Sequence, residues 1–403
     1  MKESEHLNLI GYKVIVFLMI CLPMVGCESK GQIKNMEIVS SDELTNLIVN
    51  QYDSLMKRAI AEQKLPRTIE DSKLRWINEP FDWTEGFFPG SLWYLYEITG
   101  DTKWAEGAKQ LQSLIADDRF SSNHDLGFIY NCSYGNGLRL IGDTSYIKIM
   151  VDAANTLKGR LDPRVGLIKS WDADKGWQAE RGWQYPVIID NMMNLELLFE
   201  VTRLTNDSSY YKAAVAHADK TIQNHFREDH SSYHVVDYDS LNGQVRSKQT
   251  AQGFQHESSW ARGQAWGLYG YMVCYRFTKD EKYLIQTQKI ADYIINNAKT
   301  KDGYIPYWDY SAPNIPDEPV DVSASAITAS AMLELGKIKG EGYTQYAAEI
   351  LNRLMSPEYL ASTGDNEGFL LKHSVGSIPH KNEIDVPLSY ADYYFLEALI
   401  RLK

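Results

Sequence analysis

Two aspartates stand where a carboxylate needs a reason. Asp125 and Asp190 each lie near the start of an apolar helical run, in His124-Asp125-Leu126-Gly127-Phe128 and Val187-Ile188-Ile189-Asp190-Asn191-Met192-Met193. A carboxylate at the mouth of an apolar helix is unfavourable unless it is paired, solvated or put to use. The segments leading into such runs also carry Trp83, Trp171, Gln252, Arg262 and Trp266, and a C-terminal segment adds Ser374 and Ser377. Indole faces to stack on, a few carboxylates and one guanidinium are what a sugar ring needs. This setting predicts acid/base chemistry on a carbohydrate, with Asp125 and Asp190 at its centre. Plainer roles stand beside it. Either aspartate could cap a helix, Arg262 could be a structural ion pair, the tryptophans could plug a core, and His124 and His234 could be hydrogen-bonded scaffold. Asp172-Ala173-Asp174-Lys175-Gly176 opens like a calcium loop but lacks the distal ligands, and reads as a turn; no metal or cofactor motif is present.

These residues are positioned by a repeated unit. An apolar helix ends in a polar turn with an acidic residue, and an amphipathic helix follows. The turns hold Asp101, Asp143, Asp207, Asp280 and Glu341, separated by 42, 64, 73 and 61 residues. Such steps hold two helices and a loop. Apolar helices are expected at 86–98, 126–141, 187–204, 261–277, 322–338 and 387–402, and amphipathic ones at 43–61, 103–115, 146–157, 210–225, 282–297 and 343–354. Helices apolar all round belong inside and amphipathic ones outside. Six of each predict an all-α fold, an (α/α)6 toroid running from about residue 41 to 403, with short strands only in an insertion at 232–245. Short turns fall at one end of such a ring and long loops at the other. Asp125, Asp190 and Arg262 all open inner helices, so all three should share the long-loop end.

The bulk properties narrow the partners. Forty-one basic against 53 acidic residues give a net charge of −12, which argues against nucleic acid. An acidic sugar would have to be drawn in by a few local cations. At the N-terminus, Lys13, the apolar run Val14 to Val25, and Gly26-Cys27 resemble a bacterial lipoprotein signal, with residues 1–26 removed, Cys27 lipidated and 27–40 a linker. The run is short for a membrane span. The expectation is a cell-envelope protein that meets the membrane only through its lipid anchor. Cys132 and Cys274, both in apolar helical runs, are expected to be buried free thiols.

Five separated segments, in order, resemble the unsaturated glucuronyl hydrolases of glycoside hydrolase family 88. They are Asp82-Trp83-Thr84-Glu85-Gly86-Phe87-Phe88-Pro89-Gly90, His124 to Phe128, Ile189 to Asn194, Ser259-Trp260-Ala261-Arg262-Gly263-Gln264-Ala265-Trp266 and Glu383-Ile384-Asp385-Val386-Pro387-Leu388. The resemblance implies the same toroid. It also implies a substrate, the 4,5-unsaturated uronic acid that a polysaccharide lyase leaves at the non-reducing end of a glycosaminoglycan fragment. By that resemblance Asp190 protonates and then acts as base. Asp125 holds the sugar hydroxyls and stays ionised. Trp83, His124, Trp171, His234, Gln252, Arg262 and Trp266 line the sugar site, and Ser374, Ser377 and Lys381 could meet a sulfate. A pectin-directed unsaturated rhamnogalacturonyl hydrolase is the nearest alternative, and an inactive lipid-anchored glycan-binding protein is one of a different class.

Overall fold

The computed structural model describes residues 41–78 and 81–403, so the apolar leader, Cys27 and the linker lie outside the described residues. Outer and inner helices alternate along the chain: α1 (Ser41–Glu62), α2 (Phe87–Thr99), α3 (Thr102–Gln112), α4 (126–141), α5 (Ser145–Lys158), α6 (Asn191–Thr205), α7 (Ser208–Asn224), α8 (Ala261–Thr278), α9 (Glu281–Asn297), α10 (Val322–Lys339), α11 (Glu341–Leu354) and α12 (Ser389–Leu402). The even-numbered helices form the inner ring. Each packs against the next, and α12 packs back against α2, so the ring closes into the expected (α/α)6 toroid. Within α4, residues Asn131–Gly135 form a π-turn between two α-helical turns.

The turns between inner and outer helices follow from their side chains. Gly100, Gly142 and Asn206 take left-handed conformations after α2, α4 and α6. The carboxylates of Asp101, Asp207 and Asp280 then accept from the backbone N–H two residues on, capping α3, α7 and α9. After α8 the left-handed position falls to Lys279 instead of Gly or Asn. Inner helices approach closely where a glycine allows it: a Cβ on Gly127 would lie 2.3 Å from the Asn194 backbone, which locks the start of α4 onto α6. Cys132 and Cys274 are buried free thiols.

The strands exceed the expectation. Short hairpins pair β1 (Pro66–Glu70) with β2 (Lys73–Trp76), and β3 (Leu161–Asp162) with β4 (Leu167–Ile168). A three-stranded antiparallel sheet runs β5 (Tyr185–Ile188), β6 (Val235–Tyr238) and β7 (Val245–Gln249), and a last hairpin joins β8 (Ser374–Ser377) to β9 (Asn382–Val386). Residues 187 and 188, expected in an inner helix, belong to β5; their apolar run is short enough to suit a fully buried strand as well as a helix.

Candidate active site

The sheet explains how distant residues meet at the long-loop end. β5 runs straight into α6 and delivers Asp190 at the helix mouth. Its partner β6 follows His234, whose carbonyl accepts from the Ile189 N–H at 3.0 Å. β7 ends just before Ala251 and Gln252, whose backbone N–H groups donate to His234 Nδ1 at 3.1 and 3.2 Å. Nδ1 is therefore an acceptor and the ring proton sits on Nε2, which faces Asp190 Oδ2 at 3.6 Å. Neither of those two atoms makes a hydrogen bond.

Asp125 is held from the other side, and with opposite polarity. Its Oδ1 lies 3.4 Å from the Asn194 amide nitrogen, and its Oδ2 lies 3.3 Å from His124 Nε2. Asn191 donates to the Ile168 carbonyl at 2.7 Å and to the Ser170 hydroxyl at 3.1 Å, which turns its oxygen toward His124 Nδ1 at 2.9 Å. Nδ1 therefore carries the proton, and Nε2 offers a lone pair to Asp125. One histidine favours a protonated aspartate; the other favours an ionised one. Both rings stay neutral. Burial, then Arg160, pushes His124 down to about 3, and burial, then Arg262, holds His234 well below its usual value.

Neither aspartate caps its helix, since neither side chain accepts from the first turn. Each keeps 13% of its side-chain surface open. Burial, reinforced by the charge of Asp190, pushes the Asp125 carboxyl up to about 8. Desolvation, the second carboxyl and the imidazole lone pair all act against the ionised form expected of Asp125. Burial also raises Asp190, to about 7, against the opposing pull of Arg262 and of the Trp266 indole N–H.

A cleft of about 340 Å³ opens beside His234, with Trp83, Trp171, Gln252, Arg262 and Ser377 in its wall; Asp125 and Asp190 are not among the residues that line it. Trp171 stacks on Trp183 at 5.6 Å and meets His234 edge-on at 5.8 Å, linking the cleft to Asp190. Trp83 packs against Phe128 and Tyr390. Trp266 is fully buried beneath and packs against Phe128 at 5.0 Å. Arg262 reaches the wall, but its terminal nitrogens are committed to Asp321 at 2.8 Å and to the Val375 and Gly376 carbonyls, leaving only a buried Nε unpaired. It anchors β8 to α8, and its charge is matched by Asp321. Ser374 is wholly buried and absent from the cleft wall, and Lys381 is exposed and likewise absent. The alternation of β8 turns Ser377, hydrogen-bonded to His380 at 2.7 Å, to the cleft.

Several contributors escaped the sequence reading. Arg67 bridges Asp82 and Glu383, with Nη2 3.1 Å from the latter, and so ties the Trp83 loop to β9. Asp82 and Glu383 both lie in motif segments, whereas Arg67 sits alone in an unremarkable stretch. Asn191 and Asn194 stand one and four residues after Asp190, and that helical spacing is a signal for them. A larger cavity, about 780 Å³, opens at the opposite end of the ring. Its charged residues are paired among themselves, Arg139 with Glu97, Arg203 with Glu200, Arg276 with Glu196, and Arg401 with Glu397, and no aspartate lines it.

A toroid of six helical hairpins with a buried carboxyl pair near an indole-lined cleft at its long-loop end fits a glycosidase of the (α/α)6 class. The glycosyl hydrolase family 88 model matches residues 53–398, and the chain belongs to that family. It is 39% identical over 395 residues to an unsaturated glucuronyl hydrolase of Formosa agariphila, covering 96% of this chain and 98% of that one. The crystal structure of an unsaturated glucuronyl hydrolase specific for heparin superposes with a TM-score of 0.83 at 44% identity, covering 89% of this chain and 95% of that one. An Asp-to-Asn mutant of the Streptococcus agalactiae unsaturated glucuronyl hydrolase, complexed with dGlcA-GalNAc6S, gives 0.75 at 27% identity, over 92% and 94% of the two chains.

Proposed function

We propose that the protein removes the 4,5-unsaturated uronic acid from the non-reducing end of lyase-generated glycosaminoglycan fragments by hydrating its vinyl ether, with Asp190 as the proton donor. The observation that carries this is the buried carboxyl of Asp190 at the mouth of α6, 3.6 Å from a neutral His234 and pushed up by burial. Below pH 7 that carboxyl holds a proton, which it delivers to carbon 4. Positive charge then develops at carbon 5 and is shared with the ring oxygen. The resulting carboxylate takes a proton from water as the water adds to carbon 5, so one group serves as acid and then as base. The hemiketal opens and the aglycone departs. No carboxylate need attack the anomeric carbon, unlike the two-carboxylate routes to saturated glycosides.

Asp125 grips the sugar as a neutral acid. Its O–H points to His124 Nε2, and its carbonyl oxygen is left to accept from a ring hydroxyl. Trp83 and Trp171 offer ring faces, and the Gln252 amide in the same wall suits the uronate carboxylate. Asp190→Asn should lower kcat by about 10³-fold or more while unsaturated disaccharides still bind, read as persistence of the vinyl ultraviolet absorbance alongside calorimetric binding. Turnover close to wild type in that variant overturns the assignment.

The leader supports a place in the cell envelope, since an apolar run ending in Gly26-Cys27 suits cleavage and lipidation at Cys27. Cys27→Ser should release the protein from the membrane fraction. A polysaccharide lyase must act first, because only β-elimination creates the 4,5-double bond.

A further inference from the structure

At the mouth of the cleft a single helical turn, Gly176–Ala179, faces the β8–β9 hairpin: Trp177 meets His380 at 5.1 Å. Trp177 is 36% exposed and lines the cleft with Gln178. Three indoles lead inward from there, Trp177 against Trp171 at 5.1 Å and Trp171 stacked on Trp183. The Arg181 guanidinium lies 5.6 Å from the rings of both Trp177 and Trp183.

The two arginines of the cleft wall, and the cations on Asp172 beside it, are held in ion pairs. Arg67 pairs with Asp82 and Glu383, Arg160 and Lys175 with Asp172, and Arg262 with Asp321. Arg181 forms no ion pair with any carboxylate among the described residues. A guanidinium laid over indoles keeps its charge and still presents its N–H fork edge-on, the geometry that suits a planar or tetrahedral oxyanion. On a chain of net charge −12, a guanidinium without an ion pair, lying against the cleft-lining Trp177, is what an anionic substituent at the mouth would meet.

We propose that Arg181, braced over Trp177 and Trp183, is the counter-charge for a sulfate group on the second sugar of the substrate, so that the 176–181 turn selects sulfated fragments. This rests on the hydrolase reading above and adds a specificity determinant to it. Trp177 supplies the face on which the second sugar stacks.

The test compares unsaturated disaccharides with and without sulfate on the second sugar, using full-length protein with wild-type Arg181, Arg181→Gln and Arg181→Lys. Arg181→Gln should lose roughly tenfold more kcat/KM on the sulfated than on the unsulfated substrate, through KM, and Arg181→Lys should restore part of it. Raising ionic strength should erase the wild-type preference. Equal losses on both substrates, or none on the sulfated one, overturn the role of Arg181 alone. A wild-type enzyme that consumes neither disaccharide overturns the hydrolase reading together with it.

Discussion

Asp190 is asked to keep a proton that free aspartate would release, and that request has a thermodynamic consequence. Its carboxyl titrates at about 7 in the fold against an ordinary value of 3.8. A raised carboxyl makes the folded state bind protons more tightly than the unfolded one. Its contribution to stability is full below pH 4, shrinks as pH climbs to 7, and is constant beyond. Asp190→Asn should therefore raise the melting temperature at pH 8 and change it far less at pH 4; equal shifts at both would show that the side chain is not desolvated. By the same titration, kcat/KM should fall as pH rises through about 7. Arg262 predicts the reverse kind of behaviour. It is 1% exposed and pairs with a wholly buried Asp321, so Arg262→Ala strands a charge and should cost about 3–5 kcal/mol in chemical denaturation. A loss below 1 kcal/mol would mean that Asp321 finds another partner.

At the scale of elements, the candidate site residues were legible where their helices were. Asp125, Asp190 and Arg262 share one end because each opens an inner helix, and direction of chain travel suffices to say so. Local pattern could not place His234 beside Asp190, because that depends on β5 pairing with β6, and Val187-Ile188 reads equally as helix. Nor could it separate Ser374 from Ser377: only the alternation of β8 hides the first and presents the second. Arg67 was illegible because its partners lie 15 and 316 residues away. It fixes the hairpin over the cleft, which makes its contribution measurable. Glu383→Gln keeps the shape, removes the charge, and should raise KM roughly tenfold with kcat less affected. An equal fall in kcat would move Glu383 into the chemistry itself.

The whole ring depends on a few tight contacts between neighbouring hairpins. Gly127→Ala drives a methyl into the Asn194 backbone and should destabilise the protein by about 1–3 kcal/mol while loosening the grip of Asn194 on Asp125. A variant with wild-type melting and activity would show that α4 and α6 can separate freely. The ring also closes at its seam through the earliest and latest segments. Gln51 donates to the carbonyls of Asp365 and Phe369, and the Tyr52 hydroxyl donates to Asp392 at 3.0 Å, across more than 300 residues of chain. During synthesis, then, five hairpins can stack in succession while the circle stays open, its leading helix waiting with an apolar flank uncovered. The first helix already leans on its neighbours through Tyr52 on Phe88 and Lys103 on Asp53, but only when the final helix emerges is its remaining flank covered. Native protection at the seam should arrive last, and an interrupted polypeptide should behave as a sticky arc rather than a smaller enzyme.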